Sequence, residues 1–222
     1  MGMQRARNTI GAACGLVGPA AFTAAWLLAT RRQPAYSIAN EHISGLAAPD
    51  AASPQVMTAG FLALGTCTVG FAAALEERLR SGGRAAGGGP ALLAASGVAL
   101  LSAGLFRRDR MSNYPMPGEP PTRQSWRNDL HDLSAVAAAA YGIAALTALA
   151  ARLRHDPAFG DLAAPAGLAA LAAGGLSAWF ATDVVRPGNG IVQRASISIP
   201  LAVMVRLAVR MLADGDGREG RP

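Results

Sequence analysis

Long apolar segments alternate with short polar ones along the whole chain of 222 residues. A helix needs about 20 mainly apolar residues to cross the hydrocarbon core of a bilayer. Six segments satisfy this requirement, and they cover residues 9–30, 55–75, 90–106, 128–151, 162–182 and 191–212. The third is the shortest of them. The pattern therefore predicts an all-α fold, a polytopic transmembrane bundle of six helices.

Local signals support these helix positions. Pro90 and Pro165 suit the first turns of the third and fifth helices, and Ser125 is a candidate N-cap of the fourth. Glycines recur along the first two helices, at Gly11, Gly15, Gly18, Gly60, Gly65 and Gly70. Small residues at such spacing are typical of closely packed membrane helices. The connection that follows Arg107 contains Pro115, Pro117, Pro120 and Pro121, which exclude helix there.

Composition agrees with a membrane protein. Hydrophobic residues make up 51% of the chain and charged residues 15%, whereas a soluble domain carries about 25% charged residues. We therefore predict a single transmembrane domain at 1–213, followed by a disordered tail at 214–222. The net charge of +6 comes from arginines in short clusters between apolar segments, which argues against nucleic acid and for the lipid bilayer as partner. Cys14 and Cys67 both lie in apolar segments, and we expect them to be small buried hydrophobes.

The flanking arginines also bear on orientation. Six spans place both termini on one side, and slightly more of the arginines outside the helices lie on that side. The positive-inside rule therefore favours cytoplasmic termini in a bacterial plasma membrane. The connections after the first, third and fifth helices then share the opposite, extracytoplasmic face. Most of the chain's candidate polar chemistry falls on that face.

The polar residues that this topology gathers form the predicted site. They are His42, Ser44, Asp109, His131, Asp132, Asp183, Gln193 and Arg194. Ionisable groups at or within membrane helices are costly and usually point inward to a partner. We expect Arg194 to need either an aspartate or a ligand anion, and the sequence leaves both open. His131 and Ser134 are three residues apart on one helix and should share a face, while Asp132 should face another neighbour.

The chemistry of His131 has two interpretations from sequence. It is either a histidine that hydrogen-bonds the preceding connection, or a general base or metal ligand, with Asp132 as a second metal candidate. The sequence contains none of the established hydrolase, metalloprotease, phosphate-binding or dinucleotide-binding motifs. It therefore identifies no cofactor, and it leaves open whether the protein is an enzyme.

Several short motifs occur in a recognisable order. They are Ile43-Ser-Gly-Leu46, Ala103-Gly-Leu-Phe106 with Asp109, Pro117-Gly118, Leu130-His-Asp-Leu133 and Ile191-Val-Gln-Arg194. The chain resembles the "domain of unknown function 998" family of bacterial and archaeal membrane proteins over nearly its whole length. The resemblance implies about six helices and a membrane location, and it implies no particular chemistry.

Three functions remain as hypotheses. The first is a non-enzymatic membrane protein that binds a lipid headgroup, a small ligand or a partner at its outer face. The second is a membrane-embedded hydrolase of lipid-like substrates, in which His131, Asp132, Asp109, Asp183 and His42 would either hold a metal or act as acid and base. The third is a small transporter, for which a broken helix at Pro200 would be the hint. The site hypothesis itself expects His42, Asp109, His131, Asp183 and Arg194 to meet in one cleft.

Overall fold

The computed structural model describes residues 2–80, 85–111, 124–184 and 186–216 of the chain. Within these ranges there are six α-helices, two short 3-10 turns at Ile43–Ala47 and Gly160–Leu162, and no strand. The helices are α1 (Gly2–Arg32), α2 (Pro54–Arg80), α3 (Gly89–Leu105), α4 (Trp126–Leu153), α5 (Ala163–Thr182) and α6 (Asn189–Asp216). The predicted all-α class and the six helices are confirmed.

Helix length matches a bilayer in five cases. In the described part of the chain, all helices except α3 are long and apolar enough to cross a membrane. Helix α3 has 17 residues and extends about 26 Å, slightly less than the hydrocarbon thickness of about 30 Å. Helix α6 continues through Pro200 without a break in the helix. The broken helix expected of a transporter is therefore not found at this position.

The start of the predicted disordered tail needs correction. Helix α6 continues to Asp216, so residues 214–216 are helical, while residues 217–222 lie outside the described part of the chain. The reason is a contact with another helix: Arg78 Nη2 of α2 lies 3.0 Å from Asp214 Oδ2. This ion pair holds the end of α6 against the bundle.

The six helices form a closed ring. Each helix packs against the next one along the chain, and α6 packs against α1. The 3-10 turn Ile43–Ala47 is buried throughout and contacts α1, α2 and α6, so it fills one end of the ring. At the other end, the interior is filled by large apolar side chains that include Phe71, Leu75, Leu149 and Phe159.

Glycines set how closely the first three helices approach. A Cβ atom added to Gly18 would lie 2.6 Å from the Cβ of Cys67, and one added to Gly65 would lie 2.8 Å from the carbonyl oxygen of Gly97. Both distances are too short for a side chain, so α1, α2 and α3 pack almost backbone to backbone. The predicted close packing at these glycines is confirmed. Cys67 and Cys14 are free thiols and half-buried.

The predicted helix starts are also confirmed. Ser125 caps α4, because its Oγ accepts from the backbone N–H of Asn128 at 3.3 Å. Pro90 lies in the first turn of α3, and Pro165 is the third residue of α5. The predicted effect of Pro115, Pro117, Pro120 and Pro121 falls on residues 112–123, which are outside the described ranges.

The connections that follow α1, α3 and α5 meet at one end of the ring, which we call the loop face. Ile191 N–H donates to the carbonyl of Ala39 at 3.2 Å, and Gly188 N–H donates to Asn40 Oδ1 at 2.9 Å. Met111 N–H donates to Asp50 Oδ1 at 2.8 Å. The shared face that the alternating topology predicts is therefore present.

Candidate functional site

A cavity of about 150 Å³ lies inside the helix ring, beneath the buried 3-10 turn. All six helices and the turn contribute to its wall. Most of the wall is apolar, and the polar side chains are Ser44, Ser96, His131, Ser177, Gln193 and Ser196. None of the described residues that line the cavity is an arginine, lysine, aspartate or glutamate. The chemistry of the cavity is therefore that of an apolar pocket with a few uncharged polar groups.

His131 is the most distinctive of these polar groups. It is 1% exposed, and its Nδ1 lies 2.8 Å from two carbonyl oxygens at the end of α3, those of Ala103 and Phe106. Carbonyls only accept, so Nδ1 carries the proton and Nε2 is the acceptor of the neutral ring. Nε2 is buried and has no hydrogen-bond partner among the described residues. A buried acceptor without a partner costs about 1–3 kcal/mol.

Ser44 and Gln193 reach the cavity from the loop face. Ser44 belongs to the buried 3-10 turn, whose first residue Ile43 donates its N–H to Gln193 Oε1 at 2.8 Å. This bond fixes the turn against α6. Gln193 therefore both shapes the cavity wall and positions Ser44.

His131 and Ser134 share a face of α4, as the sequence spacing predicts. In the structure this face is turned towards α3. Ser134 Oγ lies 2.7 Å from Ser102 Oγ of α3. One turn further along α4, Ser96 donates to the carbonyl of Ala138 at 2.8 Å. These bonds fix α3 to α4 beside the cavity. The hydrogen bonds of His131 to the end of α3 also agree with the first of its two interpretations.

Arg194 does not line the cavity, and its partners differ from those expected. Its Nη1 donates to the carbonyls of Ile38, Glu41 and Gly190, each at 2.9 Å. Its Nη2 donates to the hydroxyl of Tyr36 at 2.7 Å. From the sequence, an aspartate or a ligand anion is the expected partner of Arg194. In the described chain, the partial negative charges of carbonyl oxygens take that role instead.

Two aromatic rings complete the surroundings of Arg194. The guanidinium carbon lies 5.2 Å from the ring centroid of Trp26 and 5.7 Å from that of Tyr36. Tyr36 also donates to the carbonyl of His42 at 3.0 Å. Burial raises the pKa of Tyr36, although the charge of Arg194 opposes that shift. The tyrosine hydroxyl therefore stays protonated and bridges Arg194 to the α1–α2 connection.

His42 joins the α1–α2 connection to the end of α5. It is 5% exposed, its Nε2 lies 2.9 Å from the carbonyl of Val184, and its ring stacks on Phe180 at 4.7 Å between centroids. Its Nδ1 lies 3.4 Å from Arg108 Nη1, a group that can only donate. Burial, and then the positive charge of Arg108, lower the pKa of His42 to about 4. The neutral ring thus donates through Nε2 and accepts through Nδ1.

The three aspartates of the predicted site hold the connections rather than line the cavity. Asp109 accepts from the backbone N–H of Ser125 at 2.7 Å and from its hydroxyl at 2.5 Å, and these bonds lower the pKa of Asp109. Asp132 Oδ1 lies 3.9 Å from Arg108 Nε. Asp183 Oδ2 lies 3.9 Å from Nε of Arg186. Each carboxylate thus has a local partner at the loop face.

The residues predicted to share one cleft are therefore divided between two places. Ser44, His131 and Gln193 line the cavity. The remaining members contact the connections at the loop face, and they are His42, Asp109, Asp132, Asp183 and Arg194. His131 and Asp132, the two metal candidates, have separate partners. Within the described residues, no group of three or more His, Cys, Asp or Glu side chains is placed to hold a metal ion.

Some residues of the cavity wall and some buried polar contacts were not found from the sequence. Ser96, Ser177 and Ser196 line the cavity, and the only available signal was a polar residue within an apolar helix. At the end opposite the loop face, Arg152 donates to the carbonyls of Ala85 and Leu79, both at 2.9 Å. Sequence reasoning did not single out Arg152, because carbonyl partners leave no sequence signal.

Comparison with known proteins identifies the family of the chain. The family model described as "Protein of unknown function (DUF998)" matches residues 16–210. The match begins in α1 and ends in α6, so the chain belongs to this family. No curated protein and no solved structure matches the chain.

Proposed function

We propose that this DUF998 protein is a membrane protein that binds a small, uncharged, mainly apolar ligand in its central cavity. The ligand donates a hydrogen bond to Nε2 of His131. The observation that carries this proposal is the buried Nε2 acceptor, which has no partner among the described residues and belongs to a residue of the cavity wall. Small-molecule sites in proteins typically combine an apolar wall with a few fixed polar groups.

The charge of the wall supports an uncharged ligand. An ionised group buried among these residues would find no opposite charge, and an unpaired buried charge is costly. The nearby arginine, Arg194, already donates to four acceptors through Nη1 and Nη2, and only its buried Nε has no partner among the described residues. A ligand anion therefore has less to gain there than the sequence analysis supposed. This favours a small neutral ligand over a charged lipid headgroup.

Phenol and toluene provide a matched pair of probes, because they differ in one hydroxyl and fit a cavity that is about the size of one that holds benzene. We expect purified protein in micelles to bind phenol about tenfold more tightly than toluene, after correction for partition into empty micelles. In His131→Asn, the amide can still donate to the carbonyls at the end of α3, but Nε2 is lost. The preference for phenol should disappear in this variant.

Two results would contradict the proposal. One is equal affinity of the wild-type protein for phenol and toluene. The other is a phenol preference that persists in His131→Asn while the variant keeps its elution volume and melting temperature. A cavity-filling variant, Ala138→Leu, should weaken both probes together, since Ala138 is buried and lines the cavity.

The proposed setting is the bacterial plasma membrane, with one domain of six spans and both termini in the cytoplasm. Flanking arginines support this orientation, because slightly more of them lie on the side of the termini. The loop face would then be extracytoplasmic. A carboxy-terminal reporter that is active only outside the cytoplasm should give no signal, and a strong signal would reverse the orientation.

A further inference from the structure

We infer that the ligand is a neutral lipid with a hydroxyl group, and that it enters the cavity sideways from the bilayer through a gap between α4 and α5. This inference rests on the proposed function and adds the chemical class of the ligand and its route. It follows from which walls of the cavity are closed, which wall is open, and how much of a lipid the cavity can hold.

Both ends of the helix ring are closed along its axis. Towards the loop face, every residue of the turn Ile43–Ala47 is buried, and Leu46 and Ala47 are at most 1% exposed. Towards the other end, the core cluster includes Phe71, Leu75 and Leu149, each at most 1% exposed. Neither end offers a described path for a ligand from water, so the side of the ring is the remaining route.

Helix α5 has buried residues in only one half of its length. Its buried residues are Ala166, Ala169, Ala170 and Ala173, all in its first eleven positions. From Gly174 to Thr182, the loop-face half, no residue is buried. A Cβ atom added to Gly174 would lie 3.9 Å from its nearest neighbour, and one added to Gly175 would meet nothing within 4 Å. This half of α5 thus lacks the close contacts that join α1, α2 and α3.

Helix α4 borders the same opening. Ala135 and Ala139 are one turn apart, they line the cavity, and both are exposed. Next to them, Leu133 and Val136 are 64% and 67% exposed, as expected of side chains that face lipid. Residues that line the cavity and are also exposed at the outer surface of the bundle indicate that the cavity opens to the outside at this point. The gap therefore lies between Ala135 and Ala139 of α4 and the half of α5 that carries Ser177.

The size and chemistry of the cavity then limit what can enter. A volume of about 150 Å³ holds about five water-sized groups at roughly 30 Å³ each. That is enough for the polar end of a lipid and the start of its chain, while the rest of the chain stays in the bilayer through the gap. The absence of charged residues among the described lining disfavours phosphate and carboxylate ends, and the unpartnered Nε2 of His131, a residue of the cavity wall, favours a ligand with a donor. A hydroxyl satisfies both conditions.

Photolabelling in nanodiscs tests this inference. The probe is a sixteen-carbon alcohol with a diazirine beside its hydroxyl end, compared with its methyl ether, which lacks the donor, and with its phosphate ester. We expect the alcohol to label the cavity segments of α4 and α6 at least fivefold more than either analogue. Ala139→Trp, which closes the gap, should reduce this labelling at least fivefold.

The control variant is Ala140→Trp, which adds the same bulk next to Ala139 at an exposed position outside the cavity lining. It should label like the wild-type protein. Ala135→Phe closes the gap from one turn away and replaces Ala139→Trp if that variant does not fold.

The inference is overturned if the methyl ether or the phosphate ester labels as strongly as the alcohol, or if the gap-closing variants label like the wild-type protein. Phenol and toluene binding, measured on the same preparations, separates the two proposals. If phenol binds through His131 but the alcohol does not label the cavity, only the lipid inference fails. If the preference for phenol is also missing, the proposed function fails with it.

Discussion

Replacement of Arg194 by methionine should release the α1–α2 connection from the bundle. Arg194 is 9% exposed, and it donates to the carbonyls of Ile38 and Glu41 in that connection. A hydrogen bond with a charged donor contributes about 1.5–3 kcal/mol, so loss of these two bonds and of the bond to the Tyr36 hydroxyl costs about 4.5–9 kcal/mol. Relief of the buried charge offsets part of this cost. We therefore expect the free energy of unfolding to fall by about 3 kcal/mol.

Detergent-induced unfolding measures this loss, and hydrogen exchange locates it. Exchange should accelerate most in residues 36–47, because Arg194 contacts Tyr36, Ile38 and Glu41. The control is Arg206→Met on the same helix, where the arginine is exposed and the change should stay within about 0.5 kcal/mol. Equal stability of the two variants would refute the assigned role. So would rescue of Arg194→Asp by Asp183→Arg, since that result requires an ion pair between them.

Three further predictions concern the rest of the bundle. As pH falls from about 6.5 to about 4, the unfolded state binds a proton at His42 that the folded state does not. The free energy of unfolding should therefore decrease by about 3 kcal/mol in total over this range. The same measurement on His42→Gln should lack this decrease. Gly97→Leu should lower the free energy of unfolding by about 3 kcal/mol or more, because its Cβ would lie 2.9 Å from the carbonyl oxygen of Gly65. Gly175→Leu should be nearly neutral in the same unfolding assay, because a Cβ at that position meets nothing within 4 Å. Ser125→Ala should cost at least about 1 kcal/mol, because it removes both the N-cap and the hydroxyl bond to Asp109, and an effect below about 0.3 kcal/mol would contradict both roles.

The helices could be predicted because each segment carries local sequence signals of its own. Apolar length, Ser125 as a cap and the early prolines are local signals, and the structure places all of them as expected. The glycines of α1 and α2 are a similar case, since close packing leaves room for nothing larger. The grouping of the connections on one face also follows from the number of spans. These features need no knowledge of side-chain geometry.

The site could not be predicted to the same extent. The cavity receives residues from every helix, and no local pattern marks Ser96 or Ser177 as neighbours of His131. The carbonyl partners of Arg194 could not be predicted for a related reason. A buried arginine suggests a carboxylate, but carbonyls in an irregular connection can replace it, and their positions depend on backbone geometry. Ala35 illustrates this, since it adopts a φ of 56°, which an alanine gives no reason to expect.

The most direct test of the central claim is nitrogen-15 NMR of the histidine rings during addition of phenol. The chain has three histidines, and comparison with His131→Asn identifies the signals of His131. We predict a neutral ring with its proton on Nδ1, and an Nε2 resonance that moves when phenol is added and stays in place when toluene is added. A proton on Nε2, or an Nε2 signal that phenol leaves unchanged at saturating concentration, would contradict the account.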